Sequence, residues 1–509
     1  MIQSAPIKKK EPVMLIVIGI VLLIGALIAA LVLVVLPAIF NLVMSFQVYT
    51  FSRGLANSTW VGLKNYQIAL TNPTILRGII SSLTHGLFSA LLLFASSLFT
   101  GYLLLAVGRI RWLRIGLSTL LLIPLFIPAD ILAQAFIRLR LYQGPADTGM
   151  SLLIAAFCTV RYIGLPAILV STAISRGKRS WSVPLMAGGA SSLLVFALLG
   201  LFDFAFVRMM PPMLNEILVL DQYNTLSIFS KGQLSQGAAA SVLLAVLRGL
   251  LILLTAFPIG LMAKRLFPKD RQSDRGAIKD RLLALILPGG AALFAAVALA
   301  AMAIPGIQGG ELALYGSLPI YIIIAFVAAG INTALCYCLA RPVATTGKTG
   351  KAVMLCVLVV LTILTAGEGP ISIGKYLLVR GIGALKTWYA ILLSCIGVVW
   401  GVWPLVVAAR AMGVHNNTDW FQRMWKPSLA LFAVQAALLM NNSIASLMFQ
   451  GKKNMIHPLI LATQRMAQGG LMNPALLTMM TTALPILLLL IVRTAFREEE
   501  SLGLFLPGR

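Results

Sequence analysis

Few side chains in this sequence are equipped for chemistry, and their spacing limits what that chemistry is. Gln435, Asn441 and Asn442 recur at intervals of six and seven residues along one apolar run, and Gln435 and Asn442 share a helical face. Amides placed so hydrogen-bond either a hydroxylated solute or a neighbouring helix. Asn332 stands in an earlier apolar run and offers the same choice. Arg161, Asp203 and Arg248 are charges within apolar runs, where each costs roughly 3 kcal/mol or more unless paired or wet. An ion pair between Arg161 and Asp203 relieves both, and serves either the fold or a substrate path.

Covalent and metal chemistry find no footing. His85, His415 and His457 are scattered, and the five cysteines all fall within apolar runs, Cys336 and Cys338 on different helical faces. TTGKTG (345–350) lacks the spacing and strand–helix context of a phosphate loop, so the chain carries no ATPase of its own. No enzymatic activity, metal or cofactor is expected.

The elements that must position these residues are membrane helices. With 59% hydrophobic and 11% charged residues, the chain has too little polar surface to cover a water-soluble core. Its apolar runs are continuous rather than alternating, which selects helices over a barrel. Twelve spans follow: 13–43, 78–107, 112–135, 150–174, 183–207, 237–263, 282–305, 314–340, 352–366, 387–409, 428–449 and 474–492. The first resembles a signal peptide behind Lys8–Lys10, but its run is too long and lacks a small-residue cleavage site, so it is read as an uncleaved span.

Of the 40 Lys and Arg, 25 fall in segments on the N-terminal side of the bilayer and 13 in the opposite loops, Lys375 among the latter. Both termini are therefore expected in the cytoplasm, with the chain in the cell (inner or plasma) membrane. The net charge of +25 is spread along that face, where anionic lipid attracts it, and nucleic acid is not an expected partner. The longest basic segment, AKRLFPKDRQSDRGAIKDR (263–281), reads as a cytoplasmic linker joining a six-span half (1–262) to a second (282–509).

Four stretches carry a family resemblance. WVGLKNYQIALTNPTILRGIISSLTHGLF follows the first span, and DQYNTLSIFSKGQLSQGAAASVLLAVL (221–247) opens the sixth. INTALCYCLARPVATTGKTGKAVM and FQRMWKPSLALFAVQAALLMNNS occupy the second half. In that order they resemble the first- and second-position permease subunits of maltose-type ABC importers, as if joined in one chain. The resemblance implies an all-α permease fold, two similar halves about a pseudo-twofold axis along the membrane normal, and import of carbohydrate-like solutes. It also implies cytoplasmic ATPase subunits and an extracytoplasmic solute-binding protein as partners.

The same resemblance gives the polar loop before Pro427 a meaning. In the family, a short cytoplasmic helix at this place seats in a groove of the ATPase and carries a Glu-Ala-Ala stretch. Here ARAMGVHNNTDWFQRMWKP lacks that stretch, and the first-half counterpart shrinks to Arg176–Val183. Asp419, Trp420, Phe421, Arg423 and Trp425 are the candidate coupling residues, aromatic anchors with a charged rim. Trp420 and Trp425 otherwise lie at lipid headgroup depth. Two alternatives stay open: a diverged permease-like scaffold or partner subunit that no longer pumps, and a secondary transporter of two six-span halves.

Overall fold

The computed structural model describes residues 12–50, 52–106, 111–127, 132, 148–176, 182–198, 234–266, 318–365 and 369–440. The seventh and twelfth expected spans, most of the linker, Asp203, Asn441 and Asn442 lie outside them. The chain is an all-α membrane protein. Five helices among the described residues are long and apolar enough to cross a bilayer, or six if one bent pair is a single span.

The first span is α1 (Val13–Ala30), a five-residue π-turn at Leu31–Val35, and α2 (Leu36–Ser45). Pro37 explains the π-turn: it has no N–H for the Leu33 carbonyl, and its ring presses on that oxygen, so the ladder widens by one residue. Along α1, Val13, Val17, Ile20, Val21, Ile24 and Ile28 are exposed, an apolar face suited to hydrocarbon.

A small cap follows. Strands β1 (Gln47–Val48) and β2 (Thr59–Trp60) pair antiparallel, with Gln47 opposite Trp60. Behind them comes α3 (Lys64–Thr71). The motif residues of WVGLKNY build this cap. Gly62 takes a φ of +59°, a left-handed turn that glycine adopts without strain. Asn65 Nδ2 donates to the Ser45 and Gln47 carbonyls at 2.9 Å each, and the Tyr66 hydroxyl lies 2.6 Å from Ser45 Oγ.

In the first half, α4 (Pro73–Ala106), α5 (Arg111–Phe126), α6 (Thr148–Tyr162), α7 (Gly164–Arg176), α8 (Ser182–Leu198) and α9 (Leu234–Leu266) pack around α4 and α7. The fourth expected span is bent by 61° between α6 and α7. Gly164 at the bend lies against the Leu121 carbonyl, and Pro166 in the first turn of α7 cannot donate back across it.

The second half holds α10 (Leu318–Thr345), α11 (Lys348–Thr365), α12 (Gly369–Gly381), α13 (Trp388–Cys395), α14 (Val402–Ala411), α15 (Asn417–Arg423) and α16 (Trp425–Leu439). α1 packs on α10, and α2 packs on α9 and α12. The largest buried cluster accordingly joins Ala26, Ala30 and Val34 to Leu339 of α10, Leu405 of α14 and Leu431 of α16. Two expectations change here. The segment counted as an outer loop with Lys375 contains the helix α12, which buries Ile373 and Lys375. The tenth span is not one helix but two, α13 and α14, separated at 396–401.

Candidate functional site

The break in the tenth span is written in IGVVWGVWP (396–404). Gly397 takes a φ of +93° and Ile396 is extended, so α13 ends there. α14 restarts with tight turns, Val402 N–H to the Val399 carbonyl at 3.0 Å and Trp403 N–H to the Trp400 carbonyl at 3.2 Å. Pro404 in the first turn cannot donate back to Trp400, which keeps the two pieces from merging.

Unwound backbone inside an apolar layer exposes polar groups that water cannot satisfy, so side chains must. Asn332 on α10, fully buried, does most of this. Its Oδ1 accepts from the backbone N–H of Gly397 at 2.8 Å and of Val398 at 3.2 Å, and its Nδ2 donates to the Cys395 carbonyl at 3.0 Å. Cys336, one turn along α10, places its Sγ 3.6 Å from the Val398 carbonyl. From the other side, Lys375 of α12 donates through Nζ to the Ser394 carbonyl at 2.9 Å and the Ile396 carbonyl at 2.5 Å. A cation at this end of α13 meets the negative pole of the half-helix. The π-turn of the first span lies against the same break, since a Cβ on Gly397 would sit 3.4 Å from the Leu33 carbonyl oxygen. Two helix irregularities thus share one contact, and such irregularities mark working parts of membrane proteins.

Beside the break, Gln435 of α16 is 2% exposed. Its Oε1 accepts from Thr333 Oγ1 at 3.1 Å, and its amide lies over Gly401, where a Cβ would meet Nε2 at 2.8 Å. Trp403 Nε1 donates to Thr362 Oγ1 at 2.9 Å, tying α14 to α11. Asn332 and Gln435 therefore meet at the break, and each bonds a neighbouring segment of the protein.

At its far end α14 leads into the polar loop. Gly413, with a φ of +65°, turns the chain, and the Val414 N–H bonds the Ala409 carbonyl. Asn416 caps α15 by accepting from the Asp419 N–H at 2.6 Å. α15 docks on α10 and α1. Arg341 near the end of α10 donates through Nη1 to Asn417 Oδ1. The Tyr337 ring is 5.3 Å from that of Trp420 and 6.3 Å from that of Phe421. Gly19 of α1 makes room for this arrangement, because a Cβ there would lie 1.9 Å from Arg341 Nη1.

The five loop candidates part company here. Trp420 is fully buried in the protein's own core and Phe421 is half-buried against Tyr337, whereas Trp425 is 55% exposed. Arg423 lies at the surface, 3.9 Å from Asp419, and donates to the Met412 carbonyl at 3.2 Å. Arg161, at the end of α6, sits 5.5 Å over the Tyr162 ring, and its expected partner Asp203 lies outside the described residues. Lys375, Arg341 and Asn417 were missed as site residues. The two glycines and the proline of IGVVWGVWP were the signal that could have found the break, whereas nothing local marks Lys375 as buried.

No protein-family model, curated protein or solved structure matches the chain.

Proposed function

We propose that this chain is the membrane-spanning permease of a binding-protein-dependent importer driven by a partner ATPase, with twelve spans in two six-span halves. One observation carries the reading: α14 runs from the break in its span to the loop that holds α15, so a force applied to α15 has a short, stiff path to the break. A second path is α10, which grips α15 through Arg341 and Tyr337 and the break through Asn332. Arg341 and Asn332 are nine residues apart, about 14 Å of helix. With the basic faces in the cytoplasm, α15 lies where an ATPase docks, and Trp425 with Arg423 is the surface left to meet it. Carbohydrate-like solutes and an extracytoplasmic binding protein follow from the family resemblance.

The drive enters unequally. Only residues 177–181 separate α7 from α8, too few for a helix like α15 and its flanking turns. The second half therefore carries the main contact.

The test is capture of an ATP-hydrolysing partner by the full chain from its native membrane, repeated with Trp425→Ala plus Arg423→Ala. Trp425→Ala alters stability by less than about 0.5 kcal/mol because the ring is exposed. Trp420→Ala, by contrast, empties a core site and costs about 3–5 kcal/mol in thermal unfolding. Capture by the native chain and loss in the double variant supports the drive. If neither form captures an ATPase while both insert normally, the scaffold reading takes its place. The broken span favours one other reading, a secondary transporter with a coupling ion at the break, and Lys375 bears on that directly.

A further inference from the structure

We propose that the carbonyls at the end of α13 form a seat for a monovalent cation, and that the protein fills it with its own Lys375 ammonium in place of a dissolved coupling ion. This goes beyond the ATP-driven reading and does not depend on it.

The seat has two features that such sites use. The Ser394 and Ile396 carbonyl oxygens converge on one point, 2.9 and 2.5 Å from Nζ. They stand at the C-terminal end of a half-helix, where the backbone dipoles favour positive charge. Unwound carbonyls at a half-helix end are how transporters hold coupling cations. Asn332 does not compete for the cation: its Oδ1 is committed to the Gly397 and Val398 N–H groups, and its amide donates to Cys395.

The occupant is delivered by close packing. Gly374, the residue before Lys375, lies so near α2 that a Cβ would be 1.8 Å from the Pro37 carbonyl oxygen. That approach fixes α12 against the first span and leaves Lys375 8% exposed, reaching across to α13. An ammonium and a potassium ion are similar in size and both satisfy carbonyl oxygens, so a tethered ammonium and a free ion are alternatives for one place. A chain that carries its own cation here has no use for a cation gradient at this break.

The experiment uses the purified full chain in detergent, without any ATPase, so its outcome is separate from that of the capture test. Thermal unfolding of the native chain and of Lys375→Ala is compared in choline, methylammonium, sodium and potassium chloride at equal ionic strength. In choline, too large for the seat, Lys375→Ala melts lower by on the order of 5 °C. Methylammonium, and sodium or potassium, restores at least half of that loss, while the native chain responds alike to all four salts. A variant that melts like the native chain, or equally low in every salt, overturns the proposal. Folding of the variant only in the small-cation salts supports it. If Lys375→Ala folds in none, the comparison is repeated with Lys375→Gln: recovery by the small cations supports the seat, and indifference or failure to fold in every salt overturns it.

Discussion

Asn332 on α10 holds Gly397 across 65 residues of sequence, its side-chain oxygen 2.8 Å from the Gly397 backbone nitrogen. The same side chain bonds the end of α13 and the unwound backbone that follows it, donating to the Cys395 carbonyl and accepting from the Gly397 and Val398 N–H groups. An apolar replacement strands two N–H groups and one carbonyl in a buried place, each costing about 1–3 kcal/mol. Asn332→Ala is therefore expected to lower stability by at least about 3 kcal/mol, read as a fall in thermal unfolding temperature. Asn332→Asp keeps the acceptor but loses the donor and turns a charge toward the Cys395 carbonyl, and is expected to do no better.

Glycines in this chain separate into those that permit contact and those that do not. Gly374→Ala drives a methyl group into the Pro37 carbonyl, backbone that cannot yield without moving α2 from α12, and is expected to cost about 3 kcal/mol. Gly25→Ala meets nothing within 4 Å. It lies within α1, where alanine is the better helix former, so it is expected to leave stability unchanged or raise it by up to about 1 kcal/mol. Parallel melting of the two variants checks the contrast.

The cap predicts a response to alkali. Burial pushes the Tyr66 hydroxyl up from its usual value, partly offset by its bond to Ser45. An acid whose folded pKa is raised contributes stability that is complete below its unfolded value, near 10, and is lost as pH rises through the folded value. The hairpin and α3 are expected to stay docked to pH 9 and to loosen above about pH 10. Hydrogen exchange of the cap amides, compared with Tyr66→Phe, reads this. The Phe variant forfeits the Ser45 bond and loses most of the alkaline transition.

Composition alone decided the solvent of this protein, because a chain this apolar has too little polar surface to cover its core against water on all sides. The apolar runs decided where helices form: α1 with α2, α4, α9, α10 and α11 all fall where continuous hydrophobicity placed them. Motif residues were legible as motifs: Asn65 and Asn332 each proved to hold unwound or turning backbone, and Tyr66 to bond the Ser45 side chain. What the runs could not decide was continuity. A glycine or proline inside an apolar run either bends a helix or ends it, according to whether neighbours supply the missing hydrogen bonds. At Gly397 the suppliers are Asn332 and Lys375, 65 and 22 residues away. Trp420 and Trp425 likewise looked equivalent in sequence. Only the packing of α15 on Tyr337 sent the first into the core and left the second outside. Lys375 counted as a loop cation because its local sequence is that of a loop cation; α12 buries it through contacts with α2 and α13 that no window of the sequence contains.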